Sequence, residues 1–415
     1  MKRYTLLGEK QDKILLPAFL FILLYLCRDT NFSNAVLGVD LAAVLTAALV
    51  FCAGVLFLLK NRKQWKEILL DRRLLMAAVY ALVFLTPMVL KRDWQLMYFS
   101  VLLCLLTGVF MSYISSWREM AKYYVVIMTA LGIYSMIATY VLRILPDRGI
   151  LEVPVFLNPV GHKFLNFGLA FVSDVFVKNR NFGIFREPGV YQYFIILALV
   201  LNNYSVSWEK QRYLWFVNVA LAFTMVTTFA TGGVAELGLL VLVVFFDKKL
   251  YKDKLGRIAA VCVVAGAAVV VAVSIMQKND LYWALWDMII WKLMRNSESA
   301  SDRTMSLIIN VELFLKNPLL GANLRDVLYA LPNNTSSTTV LMAGCGIGAA
   351  LIHVGAWIAM IWEKGRKLWV NLALVLILFV SFNTQNMIAD LFFWLLPVMA
   401  LTEKRIPWLE SRKKV

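Results

Sequence analysis

The sequence predicts an all-α protein, a polytopic transmembrane bundle of about twelve spans with two long outer loops that carry amphipathic helices. Three observations predict it. Of the 415 residues, 61% are apolar and only 16% charged. The apolar residues fall in blocks of roughly 14 to 25, the length needed to cross a hydrocarbon core of about 30 Å at about 1.5 Å per helical residue. The lysines and arginines also collect in alternate connections between those blocks. Residues 1–415 read as a single integral membrane domain.

The blocks run, in order, over 14–27, 36–59, 74–90, 94–115, 123–145, 189–204, 213–230, 231–246, 258–276, 338–362, 368–382 and 388–401. The first is followed by Arg28 and Asp29 instead of a small-residue cleavage site, and further spans follow at once, so it reads as a span and not as a signal peptide. Blocks 14–27, 189–204 and 388–401 are short, as tilted or merged spans are. All five cysteines (Cys27, Cys52, Cys104, Cys262 and Cys345) lie in or at the edge of blocks without CxxC spacing. They read as small buried hydrophobes. With two histidines, His162 and His353, and no clustered acids, no metal site and no cofactor are expected.

A net charge of +16 would suggest nucleic acid in a soluble protein, but here its distribution gives orientation, and no nucleic-acid partner is expected. With the N-terminus inside, connections 1–13, 60–73, 117–122, 205–212, 247–257, 363–367 and 402–415 hold 27 of the 42 lysines and arginines. The short connections on the other side hold only Arg28, Lys91 and Arg92. The positive-inside rule then puts both termini in the cytoplasm, with anionic membrane lipids as partners of the inner loops.

Two outer loops, about 145–188 and 277–337, depart from this pattern. With their margins they carry Arg143, Arg148, Lys163, Lys178, Arg180, Arg186, Lys278, Lys292, Arg295, Arg303, Lys316 and Arg325. Seven of these twelve are arginines, whose planar fork suits bidentate phosphate binding better than the point charge of lysine. Ion pairs within the loop rim, or contacts to lipid headgroups, would account for the same charges. Within the second loop, 281–294 (LYWALWDMIIWKLM) has the spacing of an amphipathic surface helix. Residues 301–316 form a second candidate helix, with Ser301 or Asp302 as N-cap and Asn317-Pro318 as its stop. Residues 164–177 in the first loop are a weaker helical candidate.

Four acids, Asp40, Asp93, Glu236 and Asp390, fall inside or at the edge of blocks, each within about six residues, or roughly 9 Å, of the outer boundary. A proton-coupled carrier would hold such groups near the midplane. The bias to one leaflet favours a site open to the outside, although snorkelling to the surface would account for Asp40, Asp93 and Asp390 one by one. Glu236 follows Thr231-Gly232-Gly233-Val234-Ala235, where small residues let helices approach closely.

Residues 183–192 (GIFREPGVYQ) set Arg186 and Glu187 side by side at the mouth of a span, a position where a membrane protein rarely keeps charges without a polar task. Together with 299–304 (SASDRT), 317–324 (NPLLGANL) and 333–348 (NNTSSTTVLMAGCGIG), this stretch resembles, in order, four motifs of the O-antigen polymerase (Wzy-like) family, relatives of the O-antigen ligases. The motifs and loops cover about a quarter of the chain. Ligases carry a histidine before the Asn of the last motif. Here Asn333 precedes Asn334, which favours polymerase over ligase. His353 cannot replace that histidine, lying about 22 Å into an inward-running helix.

The resemblance implies a membrane glycosyltransferase of the bacterial plasma membrane. It would transfer a glycan from one polyprenyl diphosphate carrier to a lipid-linked repeat unit, making lipopolysaccharide, capsule or a similar polysaccharide, alongside a partner that regulates chain length. Arg186 and Arg303 are expected first as stabilisers of the departing diphosphate, with Arg325, Arg180 and Arg148 behind them. Glu187 is the first candidate base, then Glu236 and His162. Tyr191 and Asn334 complete the expected substrate contacts. For Glu187 the plainer role is a helix N-terminal acid that orients Arg186. A ligase-type transferase and a polysaccharide transporter or flippase remain as alternatives.

Overall fold

The computed structural model describes residues 3–157, 163–173, 180–252, 298–330 and 334–403. These are mostly helical. The main helices are α1 (Glu9–Tyr25), α2 (Val39–Lys60), α3 (Arg72–Lys91), α4 (Leu96–Ile114), α5 (Trp117–Ile137), α6 (Pro188–Tyr204), α7 (Gln211–Thr227) and α8 (Thr231–Asp247). After them come α9 (Glu298–Lys316), α10 (Leu324–Ala330), α11 (Ser337–Ile361), α12 (Leu368–Phe382) and α13 (Leu391–Glu403). Every apolar block that falls in the described residues forms a helix, whereas 258–276 and the candidate surface helix 281–294 lie outside them.

Among the described residues, five helices are long and apolar enough to cross a membrane: α2, α3, α4, α11, and α5 with its continuation to Asp147. Their outward faces fit a hydrocarbon solvent, with Phe51, Leu75, Leu96 and Leu351 each more than three-fifths exposed. Helix α6 is different. Its residues from Val190 to Asn202 are all buried, so this all-round apolar helix runs through the interior, packed on α5, α7, α8 and α12. The tightest pairing joins α4 to α13, where Gly108 lets the helices approach so closely that a methyl group there would lie 2.9 Å from Val398 Cβ.

The first long loop, about 145–188, corrects one expectation. Within 164–177 the described residues are not helical: β1 (Val155–Leu157), β2 (Lys163–Asn166) and β3 (Phe171–Ser173) form an antiparallel sheet in that order. The reason is a turn. Asn166 Oδ1 accepts the Gly168 N–H at 2.7 Å, Phe167 N–H donates to Ala170 at 2.9 Å, and Gly168 takes φ 80°, which ends any helix. Tyr25 and Tyr134 hold this turn through hydroxyl bonds of 2.6 Å to Gly168 and Phe167. Phe164, Phe171 and Phe182 then pack on Phe32 and Val36.

The second loop contains its expected helix, but α9 starts at Glu298, so Ser301 and Asp302 lie within it and do not cap it. Its amphipathicity is inverted. Met305, Leu307, Ile308 and Leu315 are exposed, while Ser306 and Asn310 are fully buried. Its packing against the rest of the protein therefore runs through small and polar groups. Asn317 Oδ1 and the Gly321 N–H bond to Asn317 then turn the chain into α10.

Candidate functional site

The Arg186–Glu187 motif is built by pairing two distant segments. The Asn31 N–H donates to Ile184 at 2.7 Å, its amide donates to Phe185 at 2.6 Å, and Arg186 N–H donates to Asp29 at 2.9 Å. This short antiparallel contact ties the end of the first apolar block to the entrance of α6. Phe185 stacks on Phe194, ring centres 4.1 Å apart, which fixes the turn onto the helix.

Arg186 Nε lies 2.7 Å from Asp29 Oδ1, as an ion pair without hydrogen-bond alignment. The Arg186 side chain is 37% exposed and Asp29 only 7%. The Asp29 carboxylate pushes the Arg186 guanidinium above its usual range, more than offsetting partial burial. Glu187 stands at the N-cap of α6 but makes no capping bond, and its carboxylate is 3.8 Å from Arg186 and 42% exposed. It is therefore a weakly engaged, accessible carboxylate and not a cap. Asp390, fully buried, also acts on Arg186 and crowds Asp29. Arg180 donates to Thr228 and Phe229 at 3.0 and 3.1 Å, with Glu187 near enough to act on its charge.

A second group lies where α6, α8 and α12 meet. Gln192 accepts the Gly233 N–H at 2.8 Å and reaches Thr384 at 3.3 Å. One turn further along α8, Glu236 is 5% exposed and neither carboxylate oxygen has a hydrogen-bond partner. Ser381 lies beside it outside bonding geometry, and Arg303 is near enough to act on its charge. Arg303 itself is exposed near the start of α9. An uncompensated buried carboxylate is expensive, so its retention marks a polar task at that position.

The remaining candidates separate. Arg148 is exposed beyond the end of α5, and Arg325 is exposed with its guanidinium over the Tyr329 ring at 5.9 Å. Tyr191 is fully buried and its hydroxyl meets Ser135 at 3.2 Å, within a net that includes Asn181. It supports the 181–187 turn instead of facing a substrate. Asn334 is also buried, exchanging amide bonds of 2.9 Å with Asn310, so it pins the start of α11 to α9. His353 is fully buried, stacked on Phe393 at 4.5 Å, as a core histidine would be. His162 lies outside the described residues.

Sequence reasoning missed the partners that hold these groups. Asp29 figured only as a residue that follows the first block, and Asn31 not at all. Asp93 and Asp390 do not snorkel, being 6% and 0% exposed. Asp93 Oδ2 accepts the Leu324 N–H at 2.6 Å, while Lys91 donates to the carbonyls of Leu320 and Ala322. These two residues of the α3–α4 turn clamp the 317–324 segment, and a charged pair in so short a connection was the available signal. No family profile, curated relative or solved structure matches the chain.

Proposed function

We propose that this chain is a metal-independent glycan polymerase of the bacterial plasma membrane. It crosses the bilayer about twelve times, with both termini in the cytoplasm. Its reaction transfers a growing glycan from a polyprenyl diphosphate carrier to a lipid-linked repeat unit. The acceptor hydroxyl oxygen bonds to the anomeric carbon, the bond from that carbon to the diphosphate oxygen breaks, and the hydroxyl proton passes to a carboxylate.

The observation that carries this reading is the division between the two charged groups. Arg186 is already offset by Asp29, with the accessible Glu187 beside it. That arrangement suits the acceptor side, where Glu187 takes the proton and Arg186 orients the sugar. Arg303 is exposed, and among the described residues it has no ion pair within 4 Å, which suits the leaving diphosphate. Arg325, Arg180 and Arg148 serve as outer contacts, and Glu236 tunes the field at Arg303. The four ordered sequence motifs support the same assignment.

The test is reconstitution. Purified protein in vesicles, given a lipid-linked repeat unit and no other protein, should produce a ladder of glycans extended by whole repeats. Transport of the repeat across the vesicle membrane without any lengthening would overturn the assignment in favour of a carrier.

A further inference from the structure

A cleft of about 400 Å³ opens between the C-terminal end of α1, the N-terminal ends of α2 and α4, and α10. Most of its wall is aliphatic, but Arg28 and Asp40 both line it, and so do Trp94 and Gln95. Both charged side chains are exposed, and they form no ion pair with each other or with any described residue. Arg28 only touches the sulfur of Met97, at 3.0 Å. The cleft thus offers one unpaired cation, one unpaired anion and an apolar floor. An exposed Trp at the start of a span is the usual mark of the level where headgroups meet acyl chains.

We infer that this cleft binds a zwitterionic phospholipid of the phosphatidylethanolamine type, its phosphate on Arg28, its ammonium on Asp40 and part of one acyl chain on the aliphatic wall. Charge complementarity selects this occupant. A diphosphate or a purely anionic lipid would meet Arg28 but be repelled by Asp40, which lines the same small cleft. A phosphatidylcholine headgroup carries the same charges but cannot donate hydrogen bonds to a carboxylate. The site is distinct from the Arg186 and Arg303 groups and does not depend on the proposed reaction. Its wall includes Cys27, Ala389 and Leu391, next to Asp29 and Asp390, so an occupant would brace the segments that hold Arg186.

Native mass spectrometry of the purified full-length protein, with phosphatidylethanolamine, phosphatidylglycerol or phosphatidylcholine of matched chains, tests this. Wild type should retain phosphatidylethanolamine about tenfold better than either other lipid, the worth of one charge-assisted hydrogen bond. Asp40→Asn should remove that preference while keeping phosphatidylglycerol, and Arg28→Gln should weaken both. Ala43→Phe, which fills the cleft from α2, should weaken all three lipids without a charge change. Equal or better retention of phosphatidylglycerol by wild type would overturn the inference, as would an unchanged preference in Asp40→Asn. Should Arg28→Gln fail to fold, the Asp40→Asn selectivity decides alone.

Discussion

The segment 317–324 is seated on α11 by a backbone crossing that only glycine permits, and Gly346→Ala tests how firmly. Gly346 has φ 79° and ψ −175°, a conformation essentially restricted to glycine. A Cβ built there would sit 2.1 Å from the Leu319 carbonyl oxygen and 2.6 Å from its carbon. Both are backbone atoms, so no side-chain rotation relieves the clash. The backbone strain alone costs about 1–3 kcal/mol. Losing the seat would also loosen the bonds that Lys91, Asp93 and the Ile347 N–H make to this segment. A total of about 3 kcal/mol, at about 1.4 kcal/mol per decade, predicts roughly a hundredfold loss of hydrogen-exchange protection at Leu320, Ala322 and Leu324. Gly355→Ala, on the same helix with nothing within 4 Å of the added methyl, should leave those amides unchanged. Wild-type protection of the three amides in a folded Gly346→Ala protein would refute the reasoning.

Cysteines introduced at Arg148 and Ser299 should react with an impermeant thiol reagent from outside intact cells, and one at Lys252 should not; labelling at Lys252 would reverse the orientation. Asn334→Ala leaves the buried Asn310 Oδ1 without its donor, while Nδ2 keeps Thr339, and should cost about 1–3 kcal/mol, read as a lowered melting temperature, with activity per folded molecule nearly unchanged. A selective loss of activity without loss of stability would return Asn334 to the substrate-contacting residues. Activity should survive chelation of divalent ions by EDTA, since arginines are assigned to the diphosphate. Loss on chelation that magnesium restores would redirect the mechanism to the outer-edge carboxylates.

Much of the helical frame was legible because it follows from one property, apolar length. The blocks 36–59 and 338–362, for instance, become α2 and α11 within a few residues. What was not legible depends on partners distant in sequence or on the solvent. The pairing of Asp29 with Arg186 joins residues far apart along the chain, and no periodicity reports it. The Asn166–Gly168 turn was a local signal, but the aromatic residues around it fit a helix as well as a strand, and the turn chemistry decided between them. Helix α9 could be placed from its sequence but its buried face could not: Asn310 and Ser306 face inward while Met305, Leu307 and Leu315 are exposed. Asn334 finds its partner, Asn310, 24 residues away in sequence, a pairing that no local pattern reports. Of the candidate site, Arg186, Glu187, Arg180, Arg303 and Glu236 were legible as charges, whereas the pairing of Asp29 with Arg186 was not.

The central claim is that these charges carry out glycosyl transfer, and the most direct test is the initial polymerisation rate of purified Arg303→Ala beside Arg186→Ala. Arg303 offsets charge on the leaving diphosphate and Arg186 orients the acceptor beside Glu187, so each change should cost several kcal/mol and slow the reaction by about a hundredfold or more at about 1.36 kcal/mol per decade. Lysine should rescue only in part, because it keeps the charge and loses the fork. Arg62→Ala, at an exposed position in a basic connection away from both groups, should change the rate by less than about threefold. Expression and insertion are measured first, since Arg186→Ala leaves Asp29 without its partner. Rates near wild type in both arginine variants, with normal insertion, would contradict the assigned site.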